Sequence, residues 1–168
     1  YFYPELRRII AKGFVQTIKQ YYPNVEVIAG VATGAIAYGI MVAEEMNLPY
    51  VYVRSEPKKH GLENLIEGEN PKGKKVVVIE DLLSTGGSSL KVVQALRDAE
   101  AEVLGLTAIF TYQFDAAINA FKEKQCDYHT LSNYETLIKT AIEMNYVEQH
   151  HLETLSEWRK SPGTWKQE

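Results

Sequence analysis

Val76-Val77-Val78-Ile79-Glu80-Asp81-Leu82-Leu83-Ser84-Thr85-Gly86-Gly87-Ser88-Ser89-Leu90 is the stretch that decides the fold. Lys75 to Ile79 is a short, mostly β-branched run and reads as a buried strand. Two adjacent acids follow it, then a turn of glycines and hydroxyls. A helix begins at about Gly87, with Leu90, Val93 and Leu96 on one face. In α/β sheets ligands gather at the carboxyl ends of strands, which is where Glu80 and Asp81 fall. Gly86 and Gly87 allow a tight turn whose N–H groups converge on an anion with no Cβ in the way. The helix points its positive end at the same spot, which favours a phosphate. Ser84, Thr85 and Ser88 add hydroxyl donors. Ser, Thr and Gly ahead of a helix also serve as ordinary caps. An apolar strand that delivers two acids into a run of small residues points further, to a ligand carrying both hydroxyls and a phosphate.

Upstream, Pro4 suits a first helical turn, and Leu6, Ile10, Phe14, Ile18 and Tyr21 recur at helical spacing until Pro23 and Asn24. Val25 to Ala29 reads as a strand that passes through Gly30-Val31-Ala32-Thr33-Gly34 into a helix over about Ile36 to Asn47. Tyr50 to Val53 is another strand. Arg54 to Lys74 is charged and aperiodic, and a loop of that length inside a compact domain is usually a mobile lid or a binding loop. Downstream come a strand at Val103 to Phe110, a helix at Phe114 to Lys124 and a strand at Asp127 to Thr130. Helices near Tyr134 to Met144 and Glu148 to Lys160 close the chain. The alternation predicts an α/β fold, a mainly parallel twisted sheet flanked by helices, in one domain over residues 1–168 with a long mobile loop.

The net charge of −4 in 168 residues argues against a nucleic-acid binder, which needs a basic face. Cys126 is the single cysteine, so no internal disulfide can form, and a reduced, cytoplasmic compartment fits. No apolar run nears the roughly 18 residues that span a bilayer, so no membrane role is expected. The chain opens Tyr1-Phe2-Tyr3-Pro4 almost inside a helix and without Met, from which an absent upstream segment is expected.

Arg54-Ser55-Glu56-Pro57-Lys58-Lys59-His60-Gly61 gathers four potential cations at the opening of the long loop. Charge runs are usually solvated faces. Placed at the sheet's carboxyl edge, this one could instead neutralise a departing polyanion. Gly68-Glu69-Asn70-Pro71-Lys72-Gly73-Lys74-Lys75 imitates a Walker A loop, but it lacks the final Ser or Thr and precedes a strand instead of following one.

The stretch from Glu80 to Ser88 resembles the phosphoribosyl pyrophosphate motif of type I phosphoribosyltransferases. That resemblance implies that Glu80 and Asp81 hold the ribose hydroxyls and that Leu82, Leu83, Ser84, Thr85, Gly86, Gly87 and Ser88 form the phosphate-binding turn. Tyr52-Val53-Arg54-Ser55-Glu56-Pro57-Lys58-Lys59-His60-Gly61, with Asn64-Leu65-Ile66-Glu67-Gly68 beyond it, resembles the orotate phosphoribosyltransferases in particular. By that likeness Arg54, Lys58 and His60 contact pyrophosphate, with Lys58 the main catalytic cation and Glu80 and Asp81 acting beside it. The same likeness implies that the loop folds over the partner's site in a homodimer, that Ser84 neighbours orotate, and that Mg2+ is carried by substrate and water with no direct protein ligand.

Ile28 to Ala37 is similar to the family's pyrophosphate-side loop, without the Lys that many members have, leaving Thr33 and Gly34 as backbone donors or as a plain strand-to-helix turn. Ile109 to Phe114 resembles some members of the family, whereas others carry an orotate-binding Arg here that this chain lacks, so a base contact at Tyr112 or Gln113 stays unassigned. The family's preceding hood segment over the base is not in this sequence. His129, Tyr134, Cys126 and the His150-His151 pair have no site logic, and for the paired histidines a surface role outweighs metal binding. Two rival functions stand beside orotate transfer: a transferase of the same fold acting on a purine or uracil, and a non-catalytic phosphoribosyl pyrophosphate sensor.

Overall fold

The computed structural model describes residues 3–56 and 65–165. Helix α1 (Pro4–Tyr21) leads to β1 (Val27–Val31), α2 (Ile36–Met46), β2 (Tyr50–Val53), β3 (Ile66–Glu67) and β4 (Lys75–Leu83). Then follow α3 (Gly87–Asp98), β5 (Glu102–Thr111), α4 (Asp115–Glu123), β6 (Tyr128–Asn133), α5 (Tyr134–Glu143), a 3-10 turn at Gln149–His151 and α6 (Leu152–Lys160). The six strands form one sheet in the order β3-β2-β1-β4-β5-β6. Its pairings are parallel except for β3, which runs antiparallel to β2. The expected mixed α/β fold with a mainly parallel sheet is therefore present.

The central strands β1 and β4 are buried on both faces, which is why they read as unbroken apolar runs instead of alternating ones. Phe14 and Ile18 of α1 and Val92, Val93 and Leu96 of α3 are fully or almost fully buried against this sheet. The stripe expected along α1 holds in its middle only, because Leu6 and Tyr21 are exposed at its ends. Tyr21 there stacks on His129 of β6, ring centroids 3.5 Å apart.

Three segments near the sheet's carboxyl edge differ from the sequence expectation, and further off β6 runs to Asn133 instead of Thr130 and α6 starts at Leu152 instead of Glu148. Strand β1 lies two residues later than Val25 to Ala29, so Gly30 and Val31 are strand, not turn. Gly30 is accommodated because the Tyr50 ring lies over it; a Cβ there would come 2.5 Å from the Tyr50 hydroxyl, which donates to the Ile36 carbonyl at 3.0 Å. Strand β4 continues past Ile79 to Leu83, because β5 pairs with it as far as Leu83↔Thr111. Third, the segment read as loop from Arg54 to Lys74 contains β3, a two-residue return strand too short to show a period. The Walker-like segment is the turn out of β3, with Gly73 at φ 71° donating to the Glu100 carbonyl. Lys58 and His60 lie outside the described residues, as do residues 57–64 of the expected lid as a whole.

Candidate functional site

The extension of β4 determines the geometry of the acids. Glu80 and Asp81 are adjacent on it but differ in burial. The Glu80 side chain turns inward and is only 4% exposed. Its Oε2 accepts from the Ser89 hydroxyl at 2.7 Å and its Oε1 from the Asp81 N–H at 2.9 Å. Burial, then a hydrogen bond with the Asp81 side chain, pushes the Glu80 carboxyl up to about 7; the bonds from Ser89 and the Asp81 N–H pull the other way. Asp81 stays half-buried and lies against Gly34 at the start of α2, where any Cβ would collide with its carboxylate. The turn from Ala32 to Ala35 and the end of β4, distant in sequence, thus meet where Asp81 faces Gly34.

The turn after β4 is shorter than the expected Leu82 to Ser88, because Leu82 and Leu83 belong to β4 and Gly87 and Ser88 to the first turn of α3. Ser84, Thr85, Gly87 and Ser88 are exposed, whereas Gly86 is buried and caps α3 at φ 81°. A side chain at Gly86 would be strained and would meet the Phe121 ring at 2.7 Å. Gly86→Ala should therefore destabilise the fold by about 2 kcal/mol or more, adding a left-handed residue to an overpacked contact. An unchanged urea midpoint would refute this. Leu83 is fully buried, and its carbonyl accepts the Tyr112 N–H at 3.1 Å, while Leu82 is 42% exposed.

Arg54, just past β2, stands on the rim. Its Nε lies 3.4 Å from Glu67 Oε1 on β3, an ion pair between side chains about a third exposed. Its backbone N–H donates to the Leu65 carbonyl at 2.9 Å. With Thr33 and Tyr52 it lines a cavity of about 320 Å³ at the carboxyl edge of the sheet. The structure thus places Arg54, Thr33 and Gly34 on the same edge as Asp81. A larger apolar groove of about 470 Å³ lies between α5 and α6, lined by residues such as Ile138, Ile142, Leu152 and Leu155. It holds none of the expected site residues.

Two features escaped sequence reasoning. Ser89 is 1% exposed and partners Glu80, but a serine in the first turn of a helix carries no signal beyond capping. Tyr112 stacks on Phe114 (5.2 Å, 7°) and meets Trp158 edge-on at 5.6 Å, so this aromatic cluster seats α6 at the end of β5. Gln113, at φ 57°, accepts the Glu135 N–H at 3.4 Å. Both are therefore engaged in packing the C-terminal helices. Cys126 is buried and desolvation pushes its thiol up to about 11. His150 pairs with Glu148 at 3.1 Å on the surface.

Comparisons with known proteins agree with this geometry. The model of the phosphoribosyl transferase domain family matches residues 3–149. An orotate phosphoribosyltransferase of Cytophaga hutchinsonii is 55% identical over 98% of this chain and 78% of its own length. One of Phocaeicola vulgatus is 52% identical over 98% of this chain and 77% of its own. Among solved structures, the orotate phosphoribosyltransferase of Aeropyrum pernix superposes with a TM-score of 0.72 at 24% identity, over 83% of this chain and 76% of that one, a likeness of fold. Family model and relatives alike span the β4–α3 corner and the Arg54 rim, and this chain belongs to the phosphoribosyltransferase family and, within it, to the orotate phosphoribosyltransferases.

Proposed function

We propose that this chain, as a single phosphoribosyltransferase domain, moves the 5-phosphoribosyl group from phosphoribosyl pyrophosphate to a ring nitrogen of orotate at the β4–α3 corner. Orotidine 5′-phosphate and pyrophosphate are the products. The observation that carries the reading is the meeting of Asp81 with Gly34, which sets one carboxylate between the β4–α3 turn and the β1–α2 loop. Ribose hydroxyls would lie on Asp81 and the 5-phosphate in the turn from Ser84 to Ser88. The departing pyrophosphate would then reach Thr33, Gly34 and Arg54. Glu80 reaches the ribose only by leaving its contact with Ser89, and in its inward position it supports Asp81 from behind. Ser84 is the residue nearest to orotate in this reading.

Displacement at the anomeric carbon builds positive charge on the ribose and negative charge on the leaving group. Preorganised cations and N–H donors stabilise the second of these. Arg54 supplies one such cation, and Lys58 and His60 supply two more. Among the described residues no three His, Cys, Asp or Glu side chains converge as a metal cage. The available donor set is Asp81's half-exposed carboxylate, which suits magnesium carried mainly on substrate oxygens. That ion would neutralise the leaving group.

Among the described residues no helix is long and apolar enough to cross a membrane, and a cytoplasmic enzyme without a nucleic-acid partner fits this small-molecule chemistry. A substrate screen tests the reading: pyrophosphate should form with orotate, and not with uracil, hypoxanthine or adenine. Turnover of a purine or of uracil would move the chain to a sister activity. No turnover, with phosphoribosyl pyrophosphate still bound, would favour a sensor.

We further propose a homodimer in which each Lys58 serves the partner's site. Lys58→Ala and Asp81→Asn, each inactive alone, should then rescue one another. Random exchange leaves about half the dimers mixed with one intact site each, so activity should recover to about a quarter of wild type per site. A mixture that stays dead after exchange is verified by mass spectrometry would show that each subunit closes its own site.

A further inference from the structure

A carboxylate taken out of water needs compensating donors, because an unpaired buried charge is costly. Glu80 has one for each oxygen. The Asp81 N–H comes from its own strand, and the Ser89 hydroxyl comes from the first turn of α3. The Ser89 bond is short at 2.7 Å and joins residues nine apart that are 1% and 4% exposed. Both groups lie on the inner side of the β4–α3 corner. The outer side of that corner carries exposed Thr85, Gly87 and Ser88 and half-buried Asp81.

The bond is therefore a strut between two parts of one binding surface. If the first turn of α3 moves away from β4, the phosphate turn moves away from Asp81. If Glu80 rotates, the Asp81 N–H loses its acceptor, and the strand end that aims the Asp81 carboxylate is freed. Thr85 and Ser88 bear on a ligand directly in the proposed reading, whereas Ser89 is too buried to do so.

We infer that Ser89 is a positioning residue: through Glu80 it fixes the separation between the phosphate-binding turn of α3 and the Asp81 carboxylate. A ligand that spans both subsites at once feels this separation, and a ligand using neither does not. The inference rests on the proposed assignment of the β4–α3 corner to phosphoribosyl pyrophosphate.

Steady-state kinetics of the full-length protein with each substrate varied in turn provides the test. Ser89→Ala should raise KM for phosphoribosyl pyrophosphate about tenfold, the scale of one hydrogen bond to a charged group. KM for orotate should stay within about twofold. Ser89→Thr, which keeps the hydroxyl, should restore the wild-type value. Ser89→Cys, which keeps the volume but donates weakly, should behave like Ser89→Ala, and it serves in its place if the alanine variant does not fold. An unchanged KM for phosphoribosyl pyrophosphate in the folded alanine or cysteine variant overturns the inference. An equal loss for both substrates also overturns it, since that is the signature of general destabilisation. Asp81→Asn measured alongside separates the two levels. If Asp81→Asn is crippled while the Ser89 variants are normal, only the positioning role fails. If Asp81→Asn is itself normal, the assignment of the corner fails first.

Discussion

Asp81→Asn should lower turnover by about two orders of magnitude or more, the scale of losing one preorganised electrostatic contact, with the fold intact. The side chain is half-buried, and its neighbour across the site is the Gly34 backbone. Asparagine is nearly the same size, so it fits the space that Gly34 leaves. The charge is lost and one acceptor oxygen becomes an NH2 donor, which removes the carboxylate proposed to hold the ribose hydroxyls and face the substrate-borne magnesium. Glu80 does not substitute for it, because its oxygens are committed to Ser89 and to the Asp81 N–H on the buried side. The check is kcat at saturating substrates, together with a melting curve. A folded Asp81→Asn protein with wild-type turnover would mean that these acids merely end a strand.

Gly87→Val should abolish measurable binding of phosphoribosyl pyrophosphate while barely moving the melting midpoint. The two adjacent glycines differ sharply in what surrounds them. A side chain at Gly86 meets the Phe121 ring and a positive φ, so its loss is felt by the fold. At Gly87 a Cβ meets, among the described residues, only the Thr85 hydroxyl, 3.9 Å away. A valine therefore fits the fold at the small cost of a β-branched residue early in a helix. Its methyl groups would then stand beside Thr85, where the proposed phosphate approaches the backbone N–H groups. Isothermal calorimetry reads the outcome directly. Wild-type affinity in a folded Gly87→Val protein would remove the phosphate from this turn.

The sequence alone determined the fold class, and it did so through local signals. Apolar runs such as Val76 to Ile79 are continuous because β4 is covered on both faces, and that continuity is visible without coordinates. Gly86 announces the start of α3 because only glycine accepts φ 81° there without strain. The residues at the corner were legible for the same reason, being contiguous from Glu80 to Ser88. Arg54 was legible as the start of a cationic cluster at a strand end.

What tertiary structure decided was direction and partnership. Whether β4 stops at Ile79 or at Leu83 depends on how far β5 pairs with it. The packing of α3 on that strand end buries Glu80 against Ser89, while Asp81 stays half-buried at the site. The bonds and close approaches that fix the acids and the rim join residues remote in sequence or buried from view: Ser89 bonded to Glu80, Glu67 paired with Arg54, Asp81 against Gly34. No periodicity or motif encodes such pairs, because each is set by how a helix or a return strand packs on the sheet. The seating of α6 by Tyr112, Phe114 and Trp158 is of the same kind, since aromatic residues at a strand end look alike whether they face a ligand or a neighbouring helix.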